Sequence, residues 1–323
     1  MKKKDGQDEK PAKKGVVRLF GREYKTNEMI VGILFILPTV AFLIFTFIIP
    51  VIDVVELSFT NFSMSAGTMK GVGLGNYKDL LEGFFTKEYW EDGFGQAMRN
   101  TVIYSLLKLT LDTGLALFFA VLLDKNVPLK KFLRSTFFAP VVVPMVASSL
   151  IWMWFYDPNV GPLNQILQFL GLPESKWLYH ESTAMLSILI FSLWKGIGYN
   201  IILFLAGLQN ISDSYVEAAK LDGASEWQLF WKVKFPLLRP ITSFVIMMGI
   251  INSFKVFAEF NVMTPDGGPL GSTKLVVSYI YELAFTRGRM GRASAAALIL
   301  FVIIFVLTQI QSIVNAKKTI DVD

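Results

Sequence analysis

Ile30–Pro50 contains no charged residue. A helix needs roughly 20 apolar residues to cross the hydrocarbon core of a bilayer, and this run is long enough. That constrains the chain severely, because backbone in hydrocarbon must satisfy its own hydrogen bonds. Five further stretches meet the length: Thr101–Leu123, Phe137–Phe155, Ala184–Leu208, Ile241–Val262 and Ala293–Ile313. The expectation is an all-α membrane protein of six transmembrane helices, the third being the shortest. With 53% hydrophobic residues in 323, the chain is too apolar for a soluble domain of its size. The first run starts near residue 30, and no small-residue cleavage site follows it. It reads as a retained anchor rather than a leader.

Positive charge sets the orientation. Lys2, Lys3, Lys4, Lys10, Lys13, Lys14, Arg18, Arg22 and Lys25 precede the first span. Lys125, Lys130, Lys131 and Arg134 follow the second, Lys220, Lys232, Lys234 and Arg239 follow the fourth, and Lys317 and Lys318 follow the sixth. These segments should be cytoplasmic, which puts both termini inside. The segment with Lys274, Arg287, Arg289 and Arg292 is the one ambiguous case. The organisation expected is a basic cytoplasmic tail over 1–29, a transmembrane domain over 30–315 and a cytoplasmic tail over 316–323. The net charge of +5 then reflects topology and contact with membrane lipid. No zinc-knuckle or RNP-type motif points to nucleic acid. Val16–Glu28 has a weak amphipathic pattern suited to lying along the inner surface.

The interval 212–240 has helical signals of its own. Ser212 or Asp213 can cap a helix start. Tyr215, Ala218 and Ala219 share one face of that helix, and Gly223 supplies a left-handed end. Ser225 and Gln228 have capping-box spacing, and Pro236 stops the second helix. A short helix, a glycine elbow and another short helix between two spans suit docking of a cytosolic partner.

Polar residues inside the spans are costly unless they face water or one another. Lys108 and Asp112 are four apart and can pair on one face. The fourth span holds Trp194, Lys195, Gly196, Gly198, Tyr199 and Asn200, and the fifth holds Gly249, Asn252, Ser253, Lys255 and Glu259. Together they suggest a hydrated path between helices. The single histidine, His180, reads as a solvated loop residue, and the absence of cysteine removes thiolate chemistry. Gly71, Gly73 and Gly75 follow no βαβ strand and read as a turn. No phosphate-binding loop, metalloprotease motif or nucleophile elbow occurs.

Glu217-Ala218-Ala219, then Gly223, then Val233-x-Phe235-Pro236 resembles the EAA loop of ABC-importer permeases. AGLQNISDSYVEAAKLDGA, FFAPVVVP, LWKGIGYN, NSFKVF and the Gly267-Gly268-Pro269 turn are similar to the maltose-type sugar branch. The likeness runs from about residue 30 to 315. It implies a second homologous permease subunit, two cytosolic ATPase subunits and an extracytoplasmic solute-binding protein, in the inner cell membrane of a prokaryote. ATP and Mg would sit on the partners, with no cofactor in this chain. Tyr215, Glu217, Ala218, Ala219, Asp222, Gly223 and Ala224 would couple to an ATPase. Lys195, Gly196, Tyr199, Gly249, Asn252, Ser253 and Val256 would line the path of a sugar or oligosaccharide. Ser212 stands where the family often has proline. The function implied is import by alternating access, with no catalysis in this chain. Lys195 and Lys255 raise the expectation that the sugar is acidic. A proton-coupled secondary transporter using Lys108–Asp112 or Glu259 is the alternative, and a membrane-embedded enzyme is a third class.

Overall fold

The computed structural model describes residues 16–19, 22–64, 67, 69–82, 93–125 and 128–319. The basic tail before residue 16, Lys87 and residues 320–323 lie outside that set. The chain divides into two units, Met1–Glu56 and Leu57–Asp323.

The first unit carries a small antiparallel hairpin, β1 (Val16–Leu19) and β2 (Arg22–Lys25), with Val16 opposite Lys25 and Leu19 opposite Arg22. This corrects the amphipathic surface segment expected over Val16–Glu28. Adjacent β-branched valines favour extended backbone. Helix α1 (Met29–Ser58) follows. It widens to a π turn at Ile44–Ile48, where the Ile49 amide reaches the Ile44 carbonyl. Pro50 lies just beyond. Its ring would clash with the carbonyl four residues back, and the wider turn relieves that.

The second unit is built around a few long helices. They are α3 (Phe94–Asp124), α7 (Glu181–Gln209), α10 (Arg239–Phe254) with its continuation α11 (Ala258–Met263), and α13 (Met290–Thr319). Shorter helices are α2 (Gly75–Glu82), α6 (Pro162–Phe169) and α12 (Val276–Thr286). Among the described residues, five helices, α1 included, are long and apolar enough to cross a membrane. The sixth candidate is a broken element. Helices α4 (Lys130–Val142) and α5 (Met145–Phe155) meet at a bend of 103°. The third span expected over Phe137–Phe155 is thus made of parts of two helices rather than one. Pro144 has no amide to continue the helix and forces Val143 out of the helical region, to φ −67° and ψ 137°.

Helix α7 is the centre. Its most apolar window is 56% buried, against 17% for α3 and 28% for α13. Ile197, Ile201, Phe204 and Leu208 pack with Ala116, Ala120, Leu238 and Val245. Ile188 and Phe191 pack with Tyr104, Tyr156 and Phe260. A third cluster joins Phe94, Ala97 and Met98 to Val276, Tyr279, Ala295 and Ala296. Small residues let these backbones approach, as they do between helices in lipid. A Cβ on Gly198 would collide with the Phe137 carbonyl, and one on Gly291 with that of Thr60.

The turn after α11 is tied back to α3. Asn100 donates to the carbonyls of Gly271 and Lys274, at 3.0 and 3.1 Å, and the Thr101 hydroxyl accepts from the Val276 amide at 3.0 Å. Glu282 pairs with Lys274 and with Arg287, whose Nη2 is 2.6 Å away. Burial pushes the Glu282 carboxyl up, but hydrogen bonds from Lys274 and Arg287 outweigh it, and the net direction is down from 4.5. A depressed carboxylate stabilises fully above its ordinary value and loses that stabilisation as pH falls through the folded value. Amide-exchange protection over 264–287 should therefore fall as pH drops below about 4.5. Glu282→Gln should remove that dependence. An acid profile identical in the variant would contradict the assignment.

Candidate functional site

Helices α3, α4, α5, α7, α10 and α11 enclose a cavity of about 310 Å³. That is the size of a small-ligand site. Lys195, Gly196, Tyr199, Gly249, Asn252, Ser253 and Val256 all line it. The sequence pattern did not single out Tyr104, Ser192 or Met248, which line it as well. Asn200 and Glu259, which the sequence offered among the polar groups of a hydrated path, and the expected pair Lys108 and Asp112 also belong to the wall. Lys255 does not line it.

The break between α4 and α5 explains the position of Lys195. A helix C-terminus leaves carbonyls without intrahelical partners. Lys195 Nζ donates to the Pro140 oxygen at 2.7 Å and the Val141 oxygen at 3.1 Å. The ammonium also faces the negative end of the α4 dipole. A lysine that the sequence suggested for the solute path thus clamps the break as well as lining the cavity.

The pair predicted on α3 forms, with Lys108 Nζ 2.6 Å from Asp112 Oδ2. Asn200 Nδ2 reaches the same oxygen at 3.2 Å. Gly196 makes room for them, since a Cβ there would lie 3.4 Å from Lys108 Nζ. Gly249 lets α10 approach α3, because a Cβ would sit 2.5 Å from Leu109 Cδ1. Neither close approach is readable from one span alone.

The interval after α7 folds as its caps require. Helix α8 (Asp213–Leu221) starts at Ser212, whose side chain accepts from the Ser214 amide. Serine thus caps where the family often has proline. Gly223 has φ +80°, and the Ala224 amide bonds the Ala219 carbonyl at 3.0 Å. That is the left-handed helix end expected at this glycine. Ser225 and Gln228 form a reciprocal capping box at the start of α9 (Glu226–Leu229). The helix continues through a π turn at Phe230–Lys234, again just before a proline, Pro236. Helix α8 has no buried residue, and Tyr215 and Leu221 are 58% and 89% exposed. Glu217, Ala218, Asp222 and Gly223 are also exposed, while Ala219 and Ala224 are half-buried. Lys234 ties this segment to Asp124 at the end of α3, at 3.0 Å. His180 caps α7, its Nδ1 accepting from the Ser182 amide.

Residues 112–320 match the family described as binding-protein-dependent transport system inner membrane component. A probable ABC transporter permease protein, YurN of Bacillus subtilis, is 33% identical over 87% of this chain and 94% of its own. The arabinooligosaccharides transport system permease protein AraP of Halalkalibacterium halodurans is 30% identical over 90% and 89%. Among solved structures, a bacterial ABC transporter involved in import of the acidic polysaccharide alginate superposes with a TM-score of 0.78, at 19% identity. It covers 90% of this chain and 96% of that one. At that identity the likeness concerns the fold. None of these relatives supports a proton-coupled carrier. The broken third element, the polar cavity and the capped loop after α7 thus occur in a multi-pass chain that belongs to the inner-membrane permease family of binding-protein-dependent ABC transporters.

Proposed function

We propose that this chain is one of two permease subunits of an ATP-driven carbohydrate importer in a prokaryotic inner membrane. The cavity is the solute path, and a solute-binding protein delivers a sugar or oligosaccharide to it from outside. Helix α8 and the Gly223 elbow dock on a cytosolic ATPase subunit. Nucleotide binding and hydrolysis occur there and drive alternating access. The basic residues flanking the spans support a topology with both termini and the α8 elbow on the cytoplasmic side.

The observation that carries this reading is the convergence on one cavity of seven positions, six on α7 and α10 and Val256 just beyond α10. The named activity of AraP supports a saccharide as the solute. A ligand shifts the inward–outward equilibrium only through differential affinity, and the wall supplies polar groups on four helices that can separate.

The test is uptake into proteoliposomes. Vesicles containing this chain with a second permease, ATPase subunits and binding protein should accumulate labelled oligosaccharide only with ATP inside. Omitting either the ATPase or the binding protein should stop uptake. Accumulation driven by a proton gradient in vesicles holding this chain alone would overturn the reading.

A further inference from the structure

We infer that Asp112 is a specificity-determining carboxylate of the cavity, and that the site accepts neutral, hydroxyl-rich saccharides in preference to anionic ones. This rests on the cavity being the sugar path.

Two lysines and two carboxyl side chains line the cavity, Lys108, Lys195, Asp112 and Glu259. Both cations are committed within the protein. Lys195 holds the Pro140 and Val141 carbonyls, and Lys108 holds Asp112 Oδ2. Lys255 stands outside the wall and supplies no third cation. The acceptors are not all committed. Lys108 and Asn200 both use Asp112 Oδ2, and Oδ1 is buried without a hydrogen-bond partner. A buried acceptor left unpaired is costly, so it marks a place where a donor belongs. Glu259, 6% exposed, adds a second carboxyl group to the same wall.

A sugar hydroxyl carries the proton that Oδ1 needs. A uronate keeps its ring hydroxyls but adds a carboxylate, and a phosphate adds oxyanions; either brings negative charge beside Asp112, whose ammonium partner, Lys108, is already paired with it. Recognition by hydrogen bonds to ligand hydroxyls discriminates sharply, because the wrong ligand leaves buried groups unpaired. Lys108 on α3 and Asn200 on α7 hold the carboxylate in place, so its orientation does not depend on the ligand.

The test is equilibrium binding to the complete detergent-solubilised transporter without its binding protein, which removes that protein's own selectivity. The probes are labelled neutral trisaccharides, pentose and hexose, and trigalacturonate. The wild-type complex should retain a neutral probe at least tenfold more tightly than trigalacturonate. Asp112→Asn should weaken neutral binding tenfold or more. The double variant Lys108→Met with Asp112→Leu removes the acceptor without stranding a buried charge, and keeps the protein assembled. It should lose neutral binding as well. Trigalacturonate binding as tight as the neutral probe, or wild-type neutral affinity in the double variant, would overturn the inference. Failure of every saccharide to bind would overturn the sugar reading itself, and this inference with it.

Discussion

Gly223→Val is expected to reduce ATP-driven uptake at least a hundredfold while leaving the chain folded in the membrane. Gly223 sits at φ +80°, where a β-branched residue is strained by about 1–3 kcal/mol. The strain is confined to the elbow, because α8 buries none of its residues. Relief requires rotating α8 against the Ser225 capping box, which breaks the bond from Ala224 to Ala219. The exposed Tyr215, Glu217 and Ala218 face would then be misplaced relative to an ATPase groove. Gly223→Asn should retain most activity, since asparagine tolerates the left-handed region far better. Uptake and co-purification of the ATPase subunit would be measured together. Wild-type uptake in Gly223→Val would show that the elbow transmits nothing.

The second large effect concerns Lys195. Replacement by methionine keeps an unbranched side chain one atom shorter and removes the donor. The Val141 carbonyl then loses the Lys195 donor in a low-dielectric interior, at about 1–3 kcal/mol for a group left unsatisfied, and the Pro140 carbonyl is left with the Val143 amide at 3.3 Å. The break at Val143–Pro144 loses its clamp to α7, and α5 carries Met145 of the cavity wall on the far side of the bend. Lys195→Met should lower the melting temperature of the complex and cut uptake of every saccharide at least tenfold, whatever its charge. A residue that reads anions would behave differently. Uptake of neutral oligosaccharide would survive and only acidic substrates would suffer. That selective outcome would contradict the clamp.

The sequence pattern located most of what lies along one helix and little of what lies between helices. Apolar length marked the five long spans. The caps at Ser212, Gly223 and Ser225 were legible because each is a local requirement of a helix end. The Lys108–Asp112 pair was legible for the same reason, being one turn apart. The third element was read as a single span, although FFAPVVVP holds two prolines, because charge-free length says nothing about how sharply a chain bends. The partners of Lys195 lie 55 and 54 residues away, and Asn200 meets Asp112 across 88. No spacing rule reaches that far. Tyr104 had no charged or glycine neighbour to single it out. The hairpin at Val16–Lys25 was read as amphipathic because alternation over so few residues suits either period.

Alternating access at the cavity is the central claim, and the chain is suited to a direct measurement of it. It has no cysteine, so Asn252→Cys introduces a single thiol at the cavity wall. The assembled transporter would be labelled in oriented proteoliposomes with a membrane-impermeant maleimide, applied from either side and read by the mass of this chain. Loaded binding protein outside with non-hydrolysable nucleotide inside should make the thiol reactive from the outside and protected from within. Removing nucleotide should reverse that pattern. Labelling from the same side, at the same rate, with and without nucleotide would contradict the account.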